Sequence, residues 1–248
     1  MVAVVTPYDY GIPVGDAAAW GRVLATLGFE PVDDPGPAPA GRAAPLVILQ
    51  HPQSGQRIRL YQRVGAAPPG PAEGAVTIGI PVAGAPADVL DAIRTAAPSL
   101  SVRDVEEMPK EKGIAVVLDG QRLILTSKSE PFTVVHYSAD AWPNVLEFYE
   151  DVLGFCFFPL PDRGAAVRTR VENALGRVDL EASPATPPRS GSDVGHFRLV
   201  NAKLDQAEER MSGTDRGRWV APPEGGQAWV EGPAGELMEL LARLTDQE

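Results

Sequence analysis

The sequence predicts an α+β fold of four βαβββ modules forming two tandem paired domains, and three observations lead there. The tripeptide Leu-Gly-Phe closes an amphipathic segment twice, at 27–29 and 153–155, 126 residues apart in a chain of 248. Each half then reads twice as a strand, a helix of about three turns, and two or three further strands. Stretches rich in Pro, Gly and Ala at 31–45, 65–74 and 183–193 punctuate these runs, and Pro131 in "SKSEPF" ends one apolar strand before another begins. An open sheet with a helix on one face cannot bury its other face alone. Two such units must therefore curl toward each other, and the curled faces enclose a cavity. Placing the boundary at Pro131 gives an N-terminal domain, 1–130, and a C-terminal domain, 131–248.

In the first module, "MVAVVTPYDYGIPVGD" opens as a strand. Asp16 caps a helix that turns Trp20, Val23, Leu24 and Leu27 inward, and strands follow at "PLVILQ" and "RIRLYQ". The second has "AVTIGIPV", a helix around Val89, Leu90 and Ile93, then "SVRDVEE", "GIAVVLD" and "RLILTS". In the third, "FTVVHYS" is rich in β-branched and aromatic residues. Asp140 is the expected cap of a helix carrying Val145, Phe148, Tyr149 and Val152, with Gly154 closing it, and "FCFFPL", "AAVRTRV" and "RVDLEAS" follow. The fourth runs from "GHFRLV" through a helix with Leu204, Ala207 and Met211 to "GRWVA", "GQAWVEG" and "ELMELLARL".

A net charge of −11, with neither a Lys/Arg cluster nor interleaved aromatics, argues against nucleic acid as a partner. No apolar run approaches the ~20 residues of a membrane span, and the N-terminus lacks the basic flank and small-residue cleavage site of a signal peptide. A cytoplasmic location is expected, with no membrane partner. The single cysteine, Cys156, forms no intrachain disulfide and reads as a buried small hydrophobe within "GFCFF". His51, before "PQSGQ", reads as a surface residue of a hairpin turn.

Phe148-Tyr149 followed by 153–155, Gly195-His196 opening the fourth module, and the ending "EGPAGELMEL" resemble the vicinal oxygen chelate superfamily, which includes glyoxalase I, extradiol dioxygenases, and fosfomycin and bleomycin resistance proteins. The ending keeps the family spacing at Gly235 and Glu239 and departs from it at Glu231, Gly232 and Ala234. The resemblance is stronger over 131–248 than over 1–130, and it implies glyoxalase-like domains. It further implies metal ligands on the first and last strands of paired modules. In the C-terminal half those strands offer His136, Glu181, His196 and Glu239, at intervals of 45, 15 and 43 residues. That order is similar to glyoxalase I, with imidazole and carboxylate donors suited to a divalent metal such as Fe, Ni, Zn, Mn or Mg. A subset of His136, His196 and Glu239 resembles the iron site of extradiol dioxygenases. His136 falls about two residues later than the family's first ligand, and Asp179 shares a strand face with Glu181 as its substitute. The N-terminal half has no such set, since Arg59 and Ile124 stand where Glu239 stands in the fourth module.

Under the metal reading, the ion polarises neighbouring oxygens of a small oxygenated metabolite and stabilises an enolate or alkoxide, with Glu181 as general base. The reaction is then that of an isomerase, a lyase or an oxygenase, possible in bacterial secondary metabolism. Tyr137, Trp229, Arg168 and Arg170 are the candidate substrate contacts, the arginines for an anionic group. The competing reading is a metal-free protein, of the bleomycin-resistance type, that binds a drug or natural product in an aromatic-lined cavity. A pure interaction scaffold is the third. The expected partner is a small molecule, and the expected state a monomer or homodimer.

Overall fold

The computed structural model describes residues 9–33, 45–63, 74–173, 176–186, 195–202, 204–213 and 215–242. The start of the predicted first strand, most of the three Pro/Gly-rich stretches and the end of "ELMELLARL" lie outside the described residues. The first module comprises β1 (Asp9–Val14), α1 (Ala17–Thr26), β2 (Glu30–Pro31), β3 (Val47–Gln50) and β4 (Arg57–Gln62). The second comprises β5 (Val76–Pro81), α2 (Pro86–Ala96), β6 (Val102–Met108), β7 (Gly113–Leu118) and β8 (Gln121–Thr126), with a 3-10 turn, Pro109–Glu111, before β7. The third has β9 (Phe132–Tyr137), α3 (Trp142–Glu147), β10 (Cys156–Arg163), β11 (Ala166–Asn173) and β12 (Gly176–Ala182). The fourth has β13 (His196–Ala202), α4 (Leu204–Met211), β14 (Arg218–Glu224), β15 (Gln227–Glu231) and β16 (Leu237–Ala242).

Local chemistry explains most of these elements. The Asp16 carboxylate accepts from the Ala19 amide at 2.9 Å and starts α1 as expected. At α3 the expected cap is corrected: the N-cap residue is Ala141, not Asp140, no side chain caps the helix, and Ser138 Oγ accepts from the Ala141 amide at 3.2 Å in the turn before it. The helix passes into a π-helical turn, Phe148–Val152, which ends at Gly154 with φ +70°. Cys156 is exposed at the start of an edge strand, not buried. Its neighbours Phe155 and Phe157, on the opposite strand face, are the ones packed in or against the core.

In every module the first strand pairs in parallel with the last, as in β1 with β4 and β9 with β12. Modules then join antiparallel through their first strands. The joins, however, are β1 to β13 and β5 to β9, giving two eight-stranded sheets ordered β14-β15-β16-β13-β1-β4-β3-β2 and β10-β11-β12-β9-β5-β8-β7-β6. The first module therefore pairs with the fourth and the second with the third, which corrects the expected pairing of neighbours within 1–130 and within 131–248. Linker length supplies a physical reason. Only residues 127–131 separate β8 from β9. Five residues reach over one intervening strand, β5, at ~4.8 Å per strand spacing, and keep β9 in the same sheet. Thirteen residues separate β4 from β5, and thirteen separate β12 from β13, which leaves the chain free to change sheets there.

The helix-bearing faces of the two sheets share one apolar core that includes Trp20, Leu60, Ile78, Val135, Phe148 and Leu240. Tyr10 of β1 bonds Thr133 of β9 between hydroxyls at 2.8 Å, and Gln56 Nε2 donates to the Gly79 carbonyl at 3.3 Å, so polar contacts also tie the sheets together. The opposite faces are concave, and they carry the alternate residues of each strand.

Candidate functional site

Strand alternation decides which side chains reach each concavity. On the first sheet Tyr10, Ile58, Phe197 and Met238 enter the shared core, so Asp9, Arg59, Arg198 and Glu239 face the other way. These four come from β1, β4, β13 and β16, one from each strand on which the family resemblance places ligands. All four are buried. Arg198 grips Glu239 with two parallel bonds, Nε to Oε2 at 2.9 Å and Nη2 to Oε1 at 3.1 Å, while its Nη1 lies 3.0 Å from Asp9 Oδ2. Arg59 Nη2 reaches the same Asp9 oxygen at 2.8 Å, and Gln227 Nε2 donates to Glu239 Oε1 at 2.5 Å. Burial pushes the Asp9 carboxyl up from its ordinary range, and Arg198 and Arg59 pull it back in part. Tyr61, on the same face of β4, is pushed up to about 12, chiefly by burial.

His196 lies over Gly11, where a Cβ would stand 2.0 Å from its ring carbon Cε1. Only glycine fits there. The imidazole is flanked by Tyr61 and Trp229, with ring centroids at 5.5 and 5.0 Å. It is packed as an aromatic, two register positions away from the Arg198–Glu239 pair.

The second sheet brings together the other half of the predicted set. His136 and Glu181 are register partners on β9 and β12, with Nδ1 3.6 Å from Oε1. His136 Nε2 meets Thr77 Oγ1 at 2.7 Å, and Arg168 Nε lies 3.3 Å from Glu181 Oε2. Arg170 is bound to Asp179 through Nε at 2.7 Å and Nη2 at 3.2 Å. Of the row Thr77, His136, Glu181 only the first contact is a hydrogen bond, and the cavity beside it has room for about one water molecule. The space is taken by a second apolar cluster, Met108, Ala115, Ile124, Phe132 and Val134, whose Phe132 ring covers Gly79.

The predicted quartet His136, Glu181, His196 and Glu239 is thus divided, two residues to each sheet. Tyr137, a candidate substrate contact, is corrected: it faces the helices, fully buried, and bonds Glu236 Oε1 at 2.9 Å and the Tyr149 hydroxyl at 3.1 Å. Burial and the adjoining Glu236 raise both tyrosines well above their usual range. Sequence reasoning missed Asp9 and Arg198. The signal was available in strand parity, since Arg198 lies two residues after His196 on the same face.

A divalent metal does not fit the donors that are present. On the first sheet, two permanently charged guanidiniums occupy two of the four ligand-bearing strands and hold both carboxylates. On the second, one imidazole and one carboxylate face each other with an arginine beside them. Among the described residues no group of three or more His, Cys, Asp or Glu side chains is placed to hold an ion.

No protein-family model and no curated protein matches this chain. Solved structures do. Glyoxalase I from Zea mays superposes with a TM-score of 0.65 at 15% identity, over 96% of this chain and 92% of that one. The protein has the vicinal oxygen chelate fold. A putative dioxygenase from Bacillus subtilis subsp. subtilis str. 168 gives 0.58 at 14% identity, over 97% of this chain and 86% of that one. These likenesses span all four modules, so the vicinal oxygen chelate fold extends to the N-terminal half, where the sequence resemblance was weaker. No helix among the described residues is long and apolar enough to cross a membrane.

Proposed function

We propose that this protein is a metal-independent small-molecule-binding protein built on the vicinal oxygen chelate fold, and not a divalent-metal isomerase, lyase or dioxygenase. The carrying observation is the pair of guanidiniums, Arg59 and Arg198, seated among Asp9 and Glu239 on the four ligand-bearing strands. A dication placed among them meets repulsion on the order of several kcal/mol from each arginine, even at an effective dielectric constant of about 20. It must also strip two carboxylates of hydrogen bonds they already make. The fold hosts both catalysts and binders, so the donor set carries the decision.

Elemental analysis of untagged protein, purified without chelator, tests this reading. The expected content of Fe, Ni, Zn, Mn and Mg is far below one ion per chain, with a melting temperature unchanged by EDTA. Near-stoichiometric metal that disappears in Glu239→Gln or His136→Ala would refute it.

A further inference from the structure

Both concavities are filled by their own side chains, yet a binding protein needs room for a ligand. The room lies elsewhere. A cleft of about 480 Å3 opens between the first and second modules, among the C-terminal end of α1, the β3–β4 turn and the ends of β5 and β8. That volume is within the range of drug-sized sites. Leu27, Val82 and Val89 supply an apolar lining, and Gln53, Ser129 and His51 bring polar groups to it.

His51 is prepared as a donor. Its Nδ1 accepts from the Ser54 amide at 3.2 Å, which places the ring proton on Nε2. Burial lowers its pKa, so the neutral imidazole is favoured. An edge contact with Phe29, centroids at 5.4 Å, fixes the ring plane. Gly28 keeps Nε2 accessible: its φ is +86°, and a Cβ there would stand 3.2 Å from that nitrogen. The matching glycine of the third module, Gly154, is faced instead by Arg210 Nη1 of α4, 3.3 Å from where its Cβ would be. The two equivalent glycines thus face different side chains, an imidazole in the first module and a guanidinium in the third.

We propose that the cleft between the first and second modules binds a small apolar molecule bearing a hydrogen-bond-accepting oxygen, which the Nε2–H of His51 orients. Leu27, Val82 and Val89 take the apolar body. The inference rests on the binding-protein reading and assigns that function a place.

Benzoate and benzamide are suitable probes, one a charged and one a neutral acceptor on the same ring. Titrated into isotope-labelled full-length protein, either is expected to shift the His51 imidazole and the Val82 and Val89 methyl resonances saturably, with Kd on the order of millimolar for so small a ligand. His51→Phe keeps a ring against Phe29 but loses the donor, and weakens binding about 3- to 10-fold. Val89→Trp fills the cleft from a partly exposed helix face and abolishes binding. A response to benzoate alone assigns a carboxylate ligand, and a response to both assigns a neutral carbonyl as sufficient. Silence of these resonances to both probes overturns the proposal, as does wild-type affinity in Val89→Trp. A metal-loaded protein would sink the binding-protein reading while leaving the titration unaffected, so the two failures are distinguishable.

Discussion

The two concave faces share a backbone plan and have been filled by opposite physics. In the β1/β13 sheet, four charged side chains close on one another: Arg198 is shared between Asp9 and Glu239, and Arg59 completes Asp9. In the β5/β9 sheet, Phe132 and Met108 fill the hollow and leave His136 and Glu181 at the edge of a one-water cavity. The first closure depends on charge balance, because each buried ion is tolerable only while its partners stay in place. The second depends on packing. One fold thus has two routes by which a ligand-bearing hollow becomes a structural core, and the two should respond differently to substitution.

The largest effect is expected from Arg198→Met. It leaves Asp9 and Glu239 buried with the bidentate cation gone, which costs roughly 3–5 kcal/mol in urea unfolding at neutral pH. The sign of the pH dependence follows from Asp9. Its folded-state pKa is already raised by burial, and Arg198 is the foremost group opposing that rise. In the variant the rise goes less opposed. A carboxyl with a raised folded pKa binds more protons folded than unfolded between its unfolded and folded values, so stability falls as pH rises through that window. The variant should therefore recover part of its loss on acidification from pH 7 toward 5. A pH-independent difference would show that Asp9 is not the stranded charge.

On the other face, Phe132→Ala removes the ring that covers Gly79 and opens the small apolar cluster. Truncations of this kind cost about 3–5 kcal/mol, and the lower end is expected because the cluster has only five members. Unlike Arg198→Met, the substitution strands no buried charge, so its loss should vary less with pH, although His136 and Glu181 line the same cavity and Lys128 lies over the ring. Measuring both variants over the same pH series breaks the comparison directly if the two profiles coincide.

Module content was legible in the sequence because each module is a local matter. Alternation in "FTVVHY" and "RLILT", helical spacing in α1 and the glycine stops at Gly28 and Gly154 are set within a few residues. Partner choice was not read correctly, because every first strand presents a similar edge and the local pattern fits any of them. Yet the five-residue link between β8 and β9 carried information on the pairing, since it keeps β9 in the sheet of β5 and β8. The candidate site was half legible. His136, Glu181, His196 and Glu239 each alternate with a residue of the shared core, Val135, Leu180, Phe197 and Met238, but whether they converge depends on the pairing. Arg59 was noticed as the residue standing where an acid was sought. Its meaning needed Asp9 and Arg198 in three dimensions, since a charge replacing a ligand is recognisable only with its counterions in view.

The smallest effect expected is that of Thr77→Val. The substitution keeps shape and removes the hydroxyl that meets His136 Nε2 at 2.7 Å, so a buried polar nitrogen loses its bond at a cost of about 1–3 kcal/mol. This variant also offers a metal its best opportunity. With Nε2 released and Glu181 beside Nδ1, the second face presents one freed imidazole and one carboxylate, with Arg168 still close to that carboxylate. Two donors beside a guanidinium are too few for the four-coordinate site zinc prefers. Added zinc should leave the melting temperature of Thr77→Val where it was, as with the wild type. A rise confined to the variant would mean that Thr77, more than the missing donors, keeps a metal out of this face, and the two concavities would then differ in how reversibly each has been closed.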